Sequence, residues 1–561
     1  MIINILKFFF FIFFFCFVPG RLVVSFLKIN FSKPERMFIS LALGIVILTT
    51  LSFFLAWVGL RFLLFPLLIL AGFYLVLAKK WRPKIVWRKK IDWLVVLIIV
   101  LATIFQNLVM IKSGLDYQGG IAFWGVHGHD GLWHLTLIQE LAENFPAQNP
   151  AFAGETVKNY HYFFDLFGAE IYRLTRISII DLYFRFLPLF LTLTLNSLIF
   201  LFAKRWSNKK EVGLLAIFLT SFASSFGFLL PFFGIGSSTW ETAFWAMQPA
   251  FSFQNPPFAI SLLILTLGMY LLLFFQKKQT KWLFLVLTLV FGVLVEFKVY
   301  GGILSLFSLG VMGVFYVIKD KNFKFLKLSL AGLALAALLY LPQNTAGFGF
   351  VQWQPFWFIR TMIQAPDRVN WVALELRRQT YLAVGDWLTV LVIDFVSLII
   401  FLVGNLGVRI LAIVWLVKRI RKISLVELFL GCIFLTGLVL PLFFVQKFVV
   451  WNTIQFFYYS IFVASFFAAW GISNLLAKFG KLKFLALFLL VLLSLPGSLK
   501  TISWYVSAVP TAILDRSEKS ALEFLRNLPP FGEDIILVYP HVAGAEKLPP
   551  PVPLSHYNTA Y

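Results

Sequence analysis

Between Asp116 and Tyr172 the chain gathers four of its six histidines, His127, His129, His134 and His161, and seven of its 25 acidic residues. Asp130 and His134 are four residues apart, so on a helix they share one face. A carboxylate beside an imidazole can move a proton or hold a divalent cation. The stretch GHDGLWHLTLIQELAENFP predicts that helix: Gly128 and Gly131 flank His129-Asp130, and Leu132, Leu135, Ile138 and Leu141 recur at helical spacing. His127, His129, Asp130 and His134 could together ligate a metal, but imidazole-rich sets suit Zn better than Mg, and this is not a standard zinc spacing. The bland alternative is a polar cap whose histidines only satisfy backbone groups. Further on stand Tyr160, His161, Tyr162 and Asp165. Aromatic rings beside hydroxyls and carboxylates suit a sugar-binding surface or a membrane-interface belt.

The rest of the chain must place these groups, and its composition says in what solvent. Hydrophobic residues make up 60% and charged residues 13%, with 68 phenylalanines, more apolar side chain than a soluble core could bury. The solvent is lipid. The net charge of +23 lies in short Lys and Arg clusters between apolar runs. That pattern signals topology and contact with anionic head groups, not nucleic acid. Cys16 and Cys432 both sit in apolar runs, so neither a disulfide framework nor a thiolate metal site is implied.

The expected fold class is an all-α polytopic membrane protein. KKWRPKIVWRKK, Lys79 to Lys90, is the densest basic cluster and is cytoplasmic by the positive-inside rule. Counting from it gives 13 or 14 spans of roughly 20 residues and puts the His-rich loop outside the cytoplasm. The first apolar run, Ile2 to Val18, lacks a convincing cleavage site and reads as a retained span. Trp387 to Val417 is long for one span and reads as an interfacial helix followed by a span. The expected organisation is residues 1–92 as N-terminal extra helices with the basic loop, and 93–505 as a core with outer loops 113–181, 234–257 and 343–386. Residues 506–561 form a short extracytoplasmic α/β appendage, with an amphipathic helix and an apolar strand from Ile535 to Val538.

Cations for an anionic ligand stand on outer loops or outer helix ends: Lys298, Arg360, Arg368 and Lys447. Glu296, Lys298 and Tyr300 in VEFKVYGG interrupt an apolar hairpin, and ionisable groups in or beside a span suggest function by default. Asp394 and Arg409 are the awkward ionisable residues inside apolar runs, the type a transporter would use.

An outward span, an outer loop with D-x-x-x-H on its membrane-proximal helix, then FP-x-x-N-P and a Tyr-His pair resemble the GT-C superfamily of membrane glycosyltransferases. More narrowly, DGLWHLTLIQ is similar to the D-x-x-x-H-L segment of archaeal oligosaccharyltransferase catalytic subunits. The resemblance covers about Trp93 to Ala203 and the many-helix layout. No W-W-D motif follows, so it stops short of transfer to protein Asn. It implies a sugar moved from a polyprenyl-phosphate carrier to an extracytoplasmic acceptor, in what is expected to be a prokaryotic plasma membrane. The carboxylate of the first outer loop would be base or metal ligand, a role the resemblance carries onto Asp130. His134, His161 and Asp165 are the expected catalytic partners. Asp116, Lys298, Arg360, Arg368 and Lys447 are the expected substrate or phosphate contacts. Asp130 and His134 would hold a divalent cation, Mg or Mn. A multi-pass transporter or lipid flippase, a polysaccharide polymerase or ligase, and a non-catalytic envelope-assembly protein are the competing classes.

Overall fold

A computed structural model describes residues 2–78, 91–152, 154–236, 240–344, 351–447 and 449–527. In hydrocarbon each backbone polar group must be satisfied within its own segment, so apolar runs fold as helices. Among the described residues nine helices are long and apolar enough to cross a membrane, or ten if the pair Gly480–Ser494 and Pro496–Ser507, bent by 44°, is one span. The protein is an all-α polytopic one, as expected, with fewer full-length spans than the 13 or 14 counted. The difference lies in four shorter apolar helices: Leu64–Leu77, Trp93–Asn107, Lys210–Ser221 and Lys281–Gly292, of 14, 15, 12 and 12 residues. At about 1.5 Å per residue, none reaches the roughly 30 Å of a hydrocarbon core. Two of them stop where the backbone turns early. Lys210–Ser221 gives way to a 3-10 turn containing Pro231, and Lys281–Gly292 to the four-residue helix Leu294–Phe297 before Lys298.

Trp387–Leu406 is itself of span length, continued through the 3-10 turn Gly407–Ile410, so the expected interfacial helix is not formed there. The basic cluster 79–90 and the expected strand Ile535–Val538 lie outside the described residues.

The first two helices, Ile2–Phe26 and Lys33–Trp57, cross at glycine. A Cβ on Gly44 would stand 1.8 Å from the Cys16 carbonyl oxygen, and one on Gly20 1.8 Å from that of Ser40. Such small residues let backbones approach where no hydrophobic force drives helices together. The pair is tied to the remaining helices by polar groups. Glu35 accepts from Arg205 and Tyr270, each at 2.6 Å. Lys7 donates to the Thr175 carbonyl at 3.0 Å.

Two small antiparallel sheets lie among the loops. β1 (Leu115–Tyr117), β2 (Gly120–Phe123) and β5 (Ala512–Asp515) form one, in that order; β3 (Val351–Trp353) and β4 (Phe444–Gln446) form the other. The first returns the chain beyond the last apolar helices to the His-rich loop, and the helix Arg516–Arg526 follows β5.

Candidate active site

The helix expected over the D-x-x-x-H segment runs Asp130–Glu143. It is aimed by a 3-10 turn, Gly125–Gly128, whose anchor is His127. That ring is fully buried between Phe184 and Tyr505, with Nδ1 3.0 Å from Ser113 Oγ. Burial lowers its pKa to about 4, so it is a neutral packing group at physiological pH. Gly125 is at φ +58 against Tyr505, where a Cβ would come within 2.4 Å of the hydroxyl. Only glycine fits that corner without strain.

Asp130 opens the helix, where the positive end of the macrodipole favours a carboxylate. Its Oδ1 lies 2.8 Å from His129 Nδ1, and its side chain is 49% accessible. Partial burial opposes ionisation, but the His129 hydrogen bond and the positive fields of His134 and Lys298 prevail and hold its pKa below the usual carboxylate range. One turn further, His134 is 3% exposed, and its Nδ1 is 2.8 Å from Asp165 Oδ1. Its ring stacks on Tyr183 at 5.9 Å and meets Phe164 edge-on at 5.8 Å. A carboxylate on Nδ1 fixes the imidazole's orientation and leaves Nε2 as the open nitrogen. Asp165, in the helix Phe163–Thr175, is fully buried with Oδ2 lacking any partner, and burial raises its pKa.

His161 stacks on Tyr160 at 4.9 Å and 13°, and its Nε2 is buried without a partner. Burial, with the positive Lys298 and His134 nearby, pushes its pKa well below the usual value, so this imidazole is neutral. Lys298 is 4% exposed and stands between Leu294–Phe297 and the span Val299–Asp320. Its Nζ donates to Asn255 Oδ1 at 3.2 Å, and Asn255 also caps the helix Pro256–Phe275. Burial lowers the ammonium to about 8, while Asp130 and Asp165 draw it upward. One of its three donors is engaged by protein. Two residues back, Glu296 is fully buried and neither of its oxygens has a hydrogen-bond partner.

Asp130, Asp165 and His161 thus each lie within electrostatic reach of both His134 and Lys298. The other expected contacts are not drawn into this group. Asp116 is exposed on β1, and Lys447 is exposed after β4. Arg360 pairs with Asp394 at 3.4 Å. Arg368 lies 4.2 Å over the Trp245 ring and donates to the Thr242 carbonyl at 3.1 Å. Three contributors escaped the sequence reading. Tyr183 and Tyr505 sit in apolar runs that carry no signal. Asn255, however, precedes Pro256-Pro257, which is the pattern of a capped helix start.

Among the described residues no group of three or more His, Cys, Asp or Glu side chains is arranged to hold a metal. The open carboxylate of Asp130 fits a hard cation that takes its other ligands from water and substrate, as Mg does. His134, whose Nδ1 is held by Asp165, would offer Nε2, but imidazole suits softer ions than Mg.

No protein-family model matches the chain, and no curated protein matches it in sequence. Among solved structures it is similar to archaeal oligosaccharyltransferases. One is the archaeal oligosaccharyltransferase AglB from Archaeoglobus fulgidus with an inhibitory peptide and a dolichol-phosphate, at 12% identity over 80% of this chain and 62% of that one, TM-score 0.46. A second is the Archaeoglobus fulgidus oligosaccharyltransferase in the apo form, at 13% identity, 79% and 59% coverage, TM-score 0.49. A third is that enzyme tethered to an acceptor peptide, at 15% identity, 79% and 58% coverage, TM-score 0.46. The chain spans about three fifths of the length of these structures.

Proposed function

We propose that this protein is a membrane glycosyltransferase that moves a sugar from a polyprenyl-phosphate carrier to an extracytoplasmic acceptor. The observation that carries the reading is the convergence of a half-open carboxylate, a carboxylate-backed imidazole and a nearly buried ammonium, Asp130, His134–Asp165 and Lys298. A lipid-linked sugar has its chain in the bilayer and its head group at the surface, so its enzyme needs apolar helices ending at such a polar cluster, the chamber of this reading.

In this reading Asp130 takes the proton of the acceptor hydroxyl. The hydroxyl oxygen bonds to the anomeric carbon as the bond from that carbon to the phosphate oxygen breaks. The carrier phosphate leaves with the electron pair, and the free donors of Lys298 meet its charge. Asp165 holds the His134 ring, whose field keeps Asp130 ionised. Neutral His161 offers its unpartnered Nε2 to a sugar hydroxyl. Were Asp130 the ligand of a divalent cation, Mg or Mn, in place of the base, that ion would add neutralising charge at the phosphate.

The extracytoplasmic setting of the chamber is part of the proposal, and the basic clusters that end the apolar runs argue for it. The residues a transporter would use are otherwise engaged. Asp394 pairs with Arg360 and Arg378, and Arg409 is spent on the carbonyls of Leu219 and Ala223, on Ser465 and on Gln248.

The test is transfer of labelled sugar from a polyprenyl-phosphate donor in membranes containing the protein. Asp130→Asn should lower turnover by about 100-fold or more, the lower end of what a positioned base contributes, with the amount of folded protein unchanged. Undiminished turnover in that variant would remove the role assigned to Asp130.

A further inference from the structure

An open cleft of about 600 Å3 has Trp245, Trp357, Thr361, Gln364, Pro366 and Trp451 in its lining. The indoles of Trp245 and Trp357 are 5.7 Å apart and inclined at 39°, and Trp451 is 56% exposed. Trp245 is held at φ +76, a conformation unusual for a bulky residue, in a turn closed by its N–H on the Thr242 carbonyl at 2.9 Å. Arg368 lies over the same ring. Trp245 Nε1 and Arg368 Nε are both buried and have no hydrogen-bond partner, and the amide of Gln364 is exposed at the rim.

Aromatic plates with an exposed amide at their rim suit a ligand that is both flat-faced and rich in oxygen. An indole face is negative and attracts the C–H face of a pyranose, while the sugar's hydroxyls can pair with the Gln364 amide. A polyisoprenoid chain would cover the indoles but leave that amide to water. Interfacial tryptophans that merely face lipid have no need of a concave arrangement. The cleft is linked to the Asp130 group through Tyr300: its ring centre is 5.7 Å from the Lys298 ammonium, and its hydroxyl donates to Gln446 at 3.1 Å, five residues before Trp451 of the lining.

We infer that this cleft binds a saccharide and, resting on the transfer reading above, that it is the acceptor site, which makes the acceptor a glycan. The purified full-length protein in detergent is tested by saturation-transfer NMR with cellotetraose, maltotetraose and chitotetraose, and with undecaprenyl phosphate as the contrasting probe. At least one oligosaccharide should give saturation transfer. The exposed Trp451→Ala and the rim variant Gln364→Ala should weaken it by about tenfold, while the exposed control Leu70→Ala should bind like the parent. Signal from undecaprenyl phosphate alone, no signal from any oligosaccharide, or binding untouched in both cleft variants would overturn the inference. Oligosaccharide binding without sugar transfer by the parent protein would sink the transferase and leave the cleft standing. Transfer that both cleft variants leave unchanged would sink the acceptor role and leave Asp130 standing.

Discussion

Asp130 stays ionised through its neighbours, and that sets the pH range in which it can act. Its pKa lies below the ordinary carboxylate range, so the acid limb of activity should fall below that range as well. The alkaline limb should follow Lys298. Its ammonium is charged below its pKa of about 8 and neutral above, so phosphate binding should weaken as pH rises through that value. Lys298→Arg should move this limb upward, and Lys298→Met should abolish the limb together with most donor affinity. A profile of kcat/KM against pH reads both. An alkaline limb left in place by Lys298→Met would assign it to another group. The link between Asp130 and His134 was legible because four-residue spacing is a geometric fact of any helix. Lys298 was legible as an ionisable residue beside a span, but its approach to Asp130 depends on how distant helices pack. Arg360 and Lys447 were expected on the same outer face as Asp130, and a topological argument cannot resolve positions within a face.

At the scale of elements, the sheet that joins β2 to β5 shows what hydropathy cannot. Ala512–Asp515 has only four residues and pairs with a strand distant in sequence, so no local pattern marked it. Gly120 permits the pairing, since it sits at φ +126 and a Cβ there would stand 2.1 Å from the Leu514 carbonyl oxygen. Gly120→Val should detach β5, seen as faster proteolysis between Val509 and Arg526 with the helical signal of the membrane core unchanged. Unaltered cleavage would show that β5 is held by other contacts. Gly44→Leu should separate the first two helices, because no rotamer change can move the Cys16 backbone out of its way. Its thermal midpoint in detergent should drop well below that of the exposed control Leu70→Ala. The span count erred for a related reason. Hydropathy reports how apolar a run is, not that its helix stops at Ser221 or at Gly292.

For the molecule as a whole, apolar composition was enough to assign the class, since only helices or closed barrels satisfy a backbone in lipid. What it could not show is how firmly the N-terminal helices are bound to the chamber. Fully buried Glu170, on the helix that carries Asp165, accepts from Ser52, Arg61 and Arg173, and Arg61 also donates to the Leu141 carbonyl at the end of the Asp130 helix. Glu170→Gln would leave two guanidinium groups without their anion, a loss of about 3 kcal/mol or more when such a pair is broken. Denaturant unfolding in detergent should show it, and an unchanged midpoint would mean that water replaces the carboxylate.

One consequence of the β2–β5 pairing reaches beyond stability. Because the strand after the last apolar helices is zipped to the loop that precedes Asp130, a reporter placed there shares the chamber's side of the bilayer, whichever way the bundle is inserted. A cysteine at Lys519, probed on intact cells with a membrane-impermeant maleimide, would therefore read out the chamber's address. The native thiols add little background, as Cys16 is buried and Cys432 lies within an apolar helix. Labelling before lysis is the expected result; labelling only after lysis would turn the chamber toward the cytosol and away from carriers displayed on the outer leaflet.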